Sequence, residues 1–304
     1  MIPEFPQFKS LELEDRKDVE RFTSKFPPYS DFNFVSMWSW DVKGEMGISQ
    51  LNGNLVVRFT DYINGKPFFS FLGDNKVTET ANTLIEYSKE HYGKNKISLI
   101  PEHTIEFLDE DHGFDLESDV NASDYVYEVS HLANMHNWPQ HTSGKHVRSF
   151  TKIFPNYKIG HFSLNEVNKE DYLELFKKWA ENRQIEDKAT INEFNALNRI
   201  FSDAFKDLRI VSLFLEDQLI AFTIYEIVSK DYAISHFAKS DKSHHKAVSD
   251  IINWEEAKII HGQGIRYFNW EQDLGILGLR KSKLKYSPAF MLKKSITRSK
   301  ENIS

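Results

Sequence analysis

The chain has 304 residues, a formal net charge of −7, 14 % aromatic side chains and no cysteine. Disulfides, thiolate metal sites and a cysteine nucleophile are therefore excluded, and the acidic balance argues against indiscriminate polyanion binding by the whole surface. The length fits one large domain or two of about 150 residues, and the lack of cysteine reads as a reducing, cytoplasmic setting.

After a helical lead-in the first half reads as strands followed by a helix. "EMGISQLNGNLVVRF" (45–59) is two strand-like runs joined by Asn52-Gly53, a dipeptide suited to the positive φ angles of a tight hairpin. "KPFFSFLG" (66–73) is a third strand. Residues 76–92 place Val77, Ala81, Leu84 and Ile85 at helical spacing. "KISLI" (96–100) is a short strand ended by Pro101, followed by a short helix near 102–110 and a strand at "DYVYEV" (124–129). The second half repeats this order. A connector near 145–154 leads to a strand at 157–162 and to helices at 168–183 and 191–206, the latter opening on a Thr190/Glu193 capping box. Strands at 208–217, 218–228 and 231–238 precede a helix at 246–261 that ends at Gly262. "IRYFNW" (265–270) and "PAFMLKKSI" (288–296) are the closing strands.

The repeat predicts an α/β chain of two tandem GNAT-like subdomains, 1–144 and 145–304, with mixed sheets flanked by helices. The start, "MIPEFPQFKSLELEDRK", lacks the apolar core of a signal peptide. The longest apolar stretch (210–228) is interrupted by Glu216-Asp217-Gln218 and reads as a hairpin, so no membrane span is expected.

Charge is unevenly spread. From Ile97 to Gly144 there is no Lys or Arg, and the acidic run at 106–119 reads as a solvated face. From Arg280 to Lys300 basic residues recur with no acidic one among them. The segment "GILGLRKSKLKYSP" (275–288) carries Arg280, Lys281, Lys283 and Lys285. A local basic patch on an acidic protein can focus one anionic ligand.

Four segments resemble the domain shared with the C-terminal, catalytic part of bacterial phosphatidylglycerol lysyltransferases. They are "SDFNFVSMWSWD" (30–41), "DYVYEVSHLANMHNW" (124–138), "GKHVRSFTKIF" (144–154) and "NWEQDLGILGLRKSKLKYSP" (269–288). The resemblance implies two GNAT-like subdomains related to Fem-type aminoacyltransferases, which take an amino acid from aminoacyl-tRNA. It places Lys283 on the lysine of the family's closing motif, while Ser282, Val147 and Ser149 depart from the usual Phe, Lys and Asn. It implies a donor phosphate held by Lys283, Arg280 and Lys281, with Lys145 and Arg148 as a second cationic pair.

Acyl transfer to an amine needs an activated ester or thioester, a base and oxyanion donors. An acyl-CoA enzyme of this fold carries a glycine-rich loop before its central helix. The corresponding "KSDKSHHKAVSD" (239–250) has no glycine, which favours a tRNA-borne or other phosphorylated donor over acyl-CoA. Glu255 falls on the apolar face of helix 246–261 and is a candidate general base. Glu271 and Asp273 end a predicted central strand, where ligands of α/β sheets gather, and could orient a cationic amine, with Glu271 also a candidate to assist proton transfer. Twelve histidines show no metal-ligand spacing, so no metal is expected. The reading is acyl or aminoacyl transfer to a small amine or hydroxyl acceptor, with the tRNA acceptor end as the partner on the donor side. The alternatives are a non-catalytic protein of this fold that binds a small anionic ligand, or an acyl-CoA-dependent N-acyltransferase.

Overall fold

Asn52 and Gly53 both adopt left-handed backbone angles, with φ of 53° and 79°. The flanking strands pair antiparallel from Leu51↔Asn54 to Gly47↔Arg58, the hairpin that the dipeptide specifies. The structure is a computed structural model that describes residues 1–61, 65–183, 188–201 and 205–300. In chain order it holds β1 (Lys9–Ser10), α1 (Arg16–Thr23), α2 (Phe34–Trp40), β2 (Gly47–Leu51), β3 (Asn54–Thr60), β4 (Pro67–Leu72), α3 (Val77–Tyr92), β5 (Lys96–Pro101), α4 (Glu102–Ile105) and β6 (Phe114–Ser118). There follow β7 (Asp124–Glu128), α5 (Val129–Ala133), α6 (Thr142–Ile153), β8 (Lys158–Ser163), α7 (Lys169–Arg183), α8 (Lys188–Ile200), β9 (Arg209–Leu215), β10 (Gln218–Ile227) and β11 (Tyr232–Ser240). Last come α9 (Val248–Gly262), β12 (Tyr267–Asn269), α10 (Leu277–Leu284), β13 (Phe290–Leu292) and β14 (Lys294–Ser299).

The chain divides into two compact units, each discontinuous in sequence. Unit 1 is Met1–Asp124 with Gln272–Leu279 and Met291–Ser304, and unit 2 is Tyr125–Glu271 with Arg280–Phe290. The sequence reading places a single division at 144/145.

Unit 1 contains a four-stranded sheet, β1-β2-β3-β4, and a three-stranded sheet, β5-β14-β6. Its core is built where α3 packs: Val77, Ala81, Leu84 and Ile85 are buried with Val56, Phe69, Phe71, Ile97, Ile100 and Phe114. These four helix positions are the ones the 3.6-residue period selects. Unit 2 is organised on the sheet β13-β7-β12-β11-β10-β9-β8, with α9 packed on β9, β10 and β11. Both units follow one order: an antiparallel meander of four strands, then a fifth, with the sixth outermost. The strand between fifth and sixth comes from the far half of the sequence, β14 in unit 1 and β7 in unit 2. This is the mixed, helix-flanked GNAT-like architecture expected from the sequence, with its seventh strands exchanged.

Four local expectations change. The acidic run 106–119 contains β6, whose Phe114 is buried and which pairs with β14. Its alternating charged face hides the strand. The closing strand 288–296 is two strands, β13 and β14, separated at Lys293. The basic segment 275–288, to which the sequence reading assigns no element, contains the helix α10. Helix α8 starts at Lys188, so Thr190 lies inside it rather than capping it. Glu193 is instead the acceptor for Lys239 Nζ at 2.5 Å. The end of the expected helix 191–206 includes residues 202–204, which lie outside the described residues.

Candidate functional site

In unit 2, β11 and β12 run parallel for only three paired positions, Tyr232↔Tyr267, Ala233↔Phe268 and Ile234↔Asn269. β12 then stops while β11 continues to Ser240, so the sheet opens beyond Ile234. On its other side β11 carries an irregularity. Ser235 pairs with Tyr225 and Phe237 with Ile224, which leaves His236 as an extra residue. A bulge of this kind breaks the ladder and re-aims one side chain. His236 Nε2 lies 3.2 Å from Glu226 Oε1 on β10, and its Nδ1 lies 3.4 Å from Glu271 Oε1.

Burial alone would push the His236 imidazole toward the neutral form, but the two carboxylates outweigh it and raise its pKa to about 9. At neutral pH the group is thus an imidazolium between two glutamates. The side chains of His236 and Glu226 are 2 % and 5 % exposed, while that of Glu271 is 18 % exposed. Glu271 is the member of the trio that reaches solvent.

The backbone at Glu271 is shaped for this. Its φ is 58°, a left-handed conformation that costs a non-glycine residue about 1–3 kcal/mol. Asn269 Oδ1 accepts the Glu271 N–H at 2.7 Å. The Glu271 carbonyl accepts from the Tyr125 N–H at 3.1 Å and from Lys283 Nζ at 3.0 Å. Lys283 Nζ also donates to the Trp270 carbonyl and sits 5.7 Å above the Tyr125 ring. Lys283, expected to face a phosphate, is buried and gathers these two carbonyls, holding the turn that presents Glu271. Its own carbonyl accepts from the Tyr127 hydroxyl at 2.8 Å.

The other expected site residues are dispersed. Lys281 is exposed and Arg280 half-buried on α10. Asp273, in unit 1, is buried. Its carboxylate accepts from the Gly275 N–H at 2.8 Å, which makes it a turn-forming residue. Lys145 is exposed on α6. Arg148 donates to the carbonyls of His136 (2.5 Å), Trp138 (3.1 Å) and Pro139 (3.3 Å), pinning the segment that precedes α6. Lys285 donates to the buried Asp250 at 2.5 Å, which also accepts from Tyr286 at 2.8 Å and meets His146 Nδ1 at 2.6 Å.

Glu255 is buried, but its carboxylate accepts from Tyr157 at 2.6 Å and from Lys258 at 2.8 Å. The acid turned into the interior is its neighbour Glu256, which shares a helix line with Ile252 and Ile260. Among the described residues its Oε1 has no hydrogen-bond partner. Burial pushes its pKa up to about 8, against a smaller pull from the Thr223 hydroxyl. A carboxyl whose pKa is raised on folding holds its proton more tightly in the native state. Stability is therefore greatest below the unfolded value near 4.5 and falls as pH rises toward about 8, at up to about 1.4 kcal/mol per pH unit. Glu256→Gln is expected to flatten that slope. Urea denaturation between pH 5 and pH 8.5 checks it, and parallel slopes in both proteins would refute the assignment.

Unit 1 holds a second cluster that sequence reasoning missed. Lys294 Nζ, with no exposed surface, donates to Asp31 Oδ2 and, at 2.7 Å, to Asp124 Oδ1. The Ser30 N–H and hydroxyl donate to Asp124 at 2.8 and 2.7 Å. Ser30, Asp31 and Asp124 open two of the four recognised segments, so their presence there was the available signal. The single ammonium offsets one of the two carboxylate charges and the Ser30 donors satisfy Asp124 further, which is a structural role. Among the described residues no group of three or more His, Asp and Glu is arranged to hold a metal ion, and no helix is long and apolar enough to cross a membrane.

Comparison with known proteins bears on what this geometry serves. The family model described as "Phosphatidylglycerol lysyltransferase, C-terminal" matches residues 24–297. No curated protein sequence matches the chain. A conserved protein of unknown function from Bacteroides thetaiotaomicron VPI-5482 is similar in structure, with a TM-score of 0.82, 26 % identity and coverage of 99 % of this chain and 100 % of its own. L-PGS from Bacillus licheniformis matches with a TM-score of 0.61 and 13 % identity over 99 % of this chain and 95 % of its own. FemX matches with a TM-score of 0.59 and 8 % identity over 96 % of both chains. At these identities the last two establish the shared fold.

Proposed function

The chain belongs to the phosphatidylglycerol lysyltransferase C-terminal family, and from that premise we propose that it transfers an aminoacyl group from aminoacyl-tRNA to a small amine or hydroxyl acceptor. The family and the fold point to aminoacyl or acyl transfer. The observation that carries the finer reading is the Glu226–His236–Glu271 trio at the parting of β11 and β12, with Glu271 as its solvent-facing member.

In this reading Glu271 takes the proton of the attacking amine or hydroxyl. The new bond forms at the ester carbonyl as the ester C–O bond breaks, and the departing ribose hydroxyl receives a proton. His236 is a positioning residue. Its imidazolium fixes the Glu271 carboxylate and offsets the negative charge of Glu226. Lys283 holds the two carbonyls of the turn. Orientation of this kind is where most of a transferase's rate comes from, up to about 7–11 kcal/mol of the barrier.

An ester donor is favoured over a coenzyme A thioester by the loop before α9. The Ala247 and Val248 N–H groups already donate to His245 Nδ1 (3.1 Å) and to the His245 carbonyl (3.2 Å). The Ser243 N–H donates to Asp241 at 2.9 Å. A pyrophosphate there would compete with bonds the loop makes to itself.

The test uses tRNAs charged with each standard amino acid, with hydroxylamine as a stand-in amine. The protein is expected to accelerate discharge of at least one aminoacyl-tRNA. Discharge of every charged tRNA at the buffer rate, together with consumption of a coenzyme A thioester, would overturn the proposal in favour of acyl-CoA chemistry.

A further inference from the structure

Glu271 and its partners lie on one face of the unit 2 sheet, and the opposite face carries another ionisable pair. Tyr225 and Glu226 are neighbours on β10 and so point to opposite faces. The Tyr225 hydroxyl donates to Gln263 Oε1, just beyond α9, at 3.4 Å. Its ring packs edge-on to Phe268, which packs in the same way on Trp270. These rings mark the α9 face, and Glu226, with His236 and Glu271, is on the other.

On the α9 face Trp270 meets Tyr286 edge-on at 5.1 Å, and the Tyr286 hydroxyl donates to Asp250 in the first turn of α9. The adjacent Ser249 hydroxyl lies 2.6 Å from that of Ser240, the last residue of β11. The first turn of α9 is thereby fixed beside the end of β11, where β12 has already stopped. There α6 contributes His146. Its Nδ1 lies 2.6 Å from Asp250 Oδ2, and among the described residues its Nε2 has no hydrogen-bond partner. The His146 side chain is 18 % exposed and that of Asp250 2 %. Burial alone would raise the Asp250 pKa, but the bonds from Lys285, His146 and Tyr286 outweigh it and hold it below the ordinary value. An ionised, buried carboxylate on Nδ1 fixes the ring, favours the imidazolium and leaves Nε2 for proton exchange.

We propose that His146 is the acid that protonates the leaving oxygen, with Asp250 as its positioning residue, a role that rests on the aminoacyl-transfer reading. The opening between β11 and β12 then has a proton acceptor on one face and a proton donor on the other. As the acceptor nitrogen or oxygen bonds to the ester carbonyl carbon, Glu271 takes its proton. As the ester C–O bond breaks, the ribose oxygen keeps the electron pair and takes the Nε2 proton of the imidazolium. Glu271 ends protonated and His146 neutral, and exchange with water returns both to their starting states with no net proton change.

The test uses the full chain, a charged tRNA that the parent discharges, and hydroxylamine as acceptor. His146→Asn keeps an N–H donor for Asp250 but removes Nε2. It is expected to lower kcat by about 10²–10⁴ while its urea midpoint stays near that of the parent. His146→Ala is expected to show the same loss and to regain about tenfold or more with added imidazole, after subtraction of the enzyme-free rate. Pyrazole, which has the shape of imidazole without its basicity, should restore nothing. An Asn variant with parental kcat would overturn the role. Loss of the native urea transition in both variants, or rescue by both heterocycles or by neither, would assign His146 to structure instead. A parent that discharges no charged tRNA would overturn the transfer reading itself, and this role with it.

Discussion

Lys294→Met is expected to destabilise the protein by about 3–5 kcal/mol, because it leaves Asp31 and Asp124 buried without their counter-ion. The ammonium has no exposed surface and donates to both carboxylates. Burial would lower its pKa, yet the two aspartates outweigh that and raise it, so the lysine stays charged across the accessible range. The cost arises from the orphaned charges rather than from lost volume, since methionine fills most of the same space. Combining Lys294→Met with Asp31→Asn and Asp124→Asn should therefore recover much of the loss. Urea denaturation of the single and combined variants separates the two contributions. A single variant within about 1 kcal/mol of the parent would show that water reaches the cluster.

The second large effect concerns catalysis. Glu271→Gln keeps the shape of the side chain but removes the proton acceptor, and the transfer rate should fall by about 10²–10⁴. The fall is expected in kcat with little change in KM, because the amide still occupies the same place. The pH profile carries an independent signature. The raised His236 pKa means that the charged, paired imidazolium is fully present below its ordinary value near 6.5 and is lost as pH rises through about 9. Activity should therefore decline on the alkaline side near pH 9. Removing the Glu271 charge takes away one of the two influences that raise that pKa, so the residual activity should decline at lower pH. Loss of kcat with an unmoved alkaline limb would leave Glu271 with a merely structural role.

Much of the local structure was legible because it depends on short-range rules. The Asn52-Gly53 turn follows from φ preferences, and the buried face of α3 follows from spacing alone. The strands β9, β10 and β11 show as apolar runs split by Asp217-Gln218 and Ser229-Lys230. β6 was hidden because a half-exposed edge strand with Asp115, Glu117 and Phe114 looks like a solvated acidic loop until its partner β14 is known. α10 was hidden because its glycine and its run of cations resemble a loop. The unpaired buried carboxyl lies one residue beyond Glu255 for a related reason. A helical wheel locates a buried face but does not resolve two adjacent carboxylates at its edge. Glu255 finds Tyr157 and Lys258, whereas Glu256 points inward.

By itself the sequence determined the fold class, the duplication and the family, since each rests on local periodicity or on motif order. Only the tertiary structure decided that His236 joins Glu226 and Glu271, that Lys283 serves backbone carbonyls, and that β7 and β14 each complete a unit built mainly from the other half of the chain. The physical reason is common to all three. Strand pairing and buried charge pairing are satisfied between residues far apart in sequence, and a strand or an ionisable side chain carries no local mark of which distant partner will satisfy it.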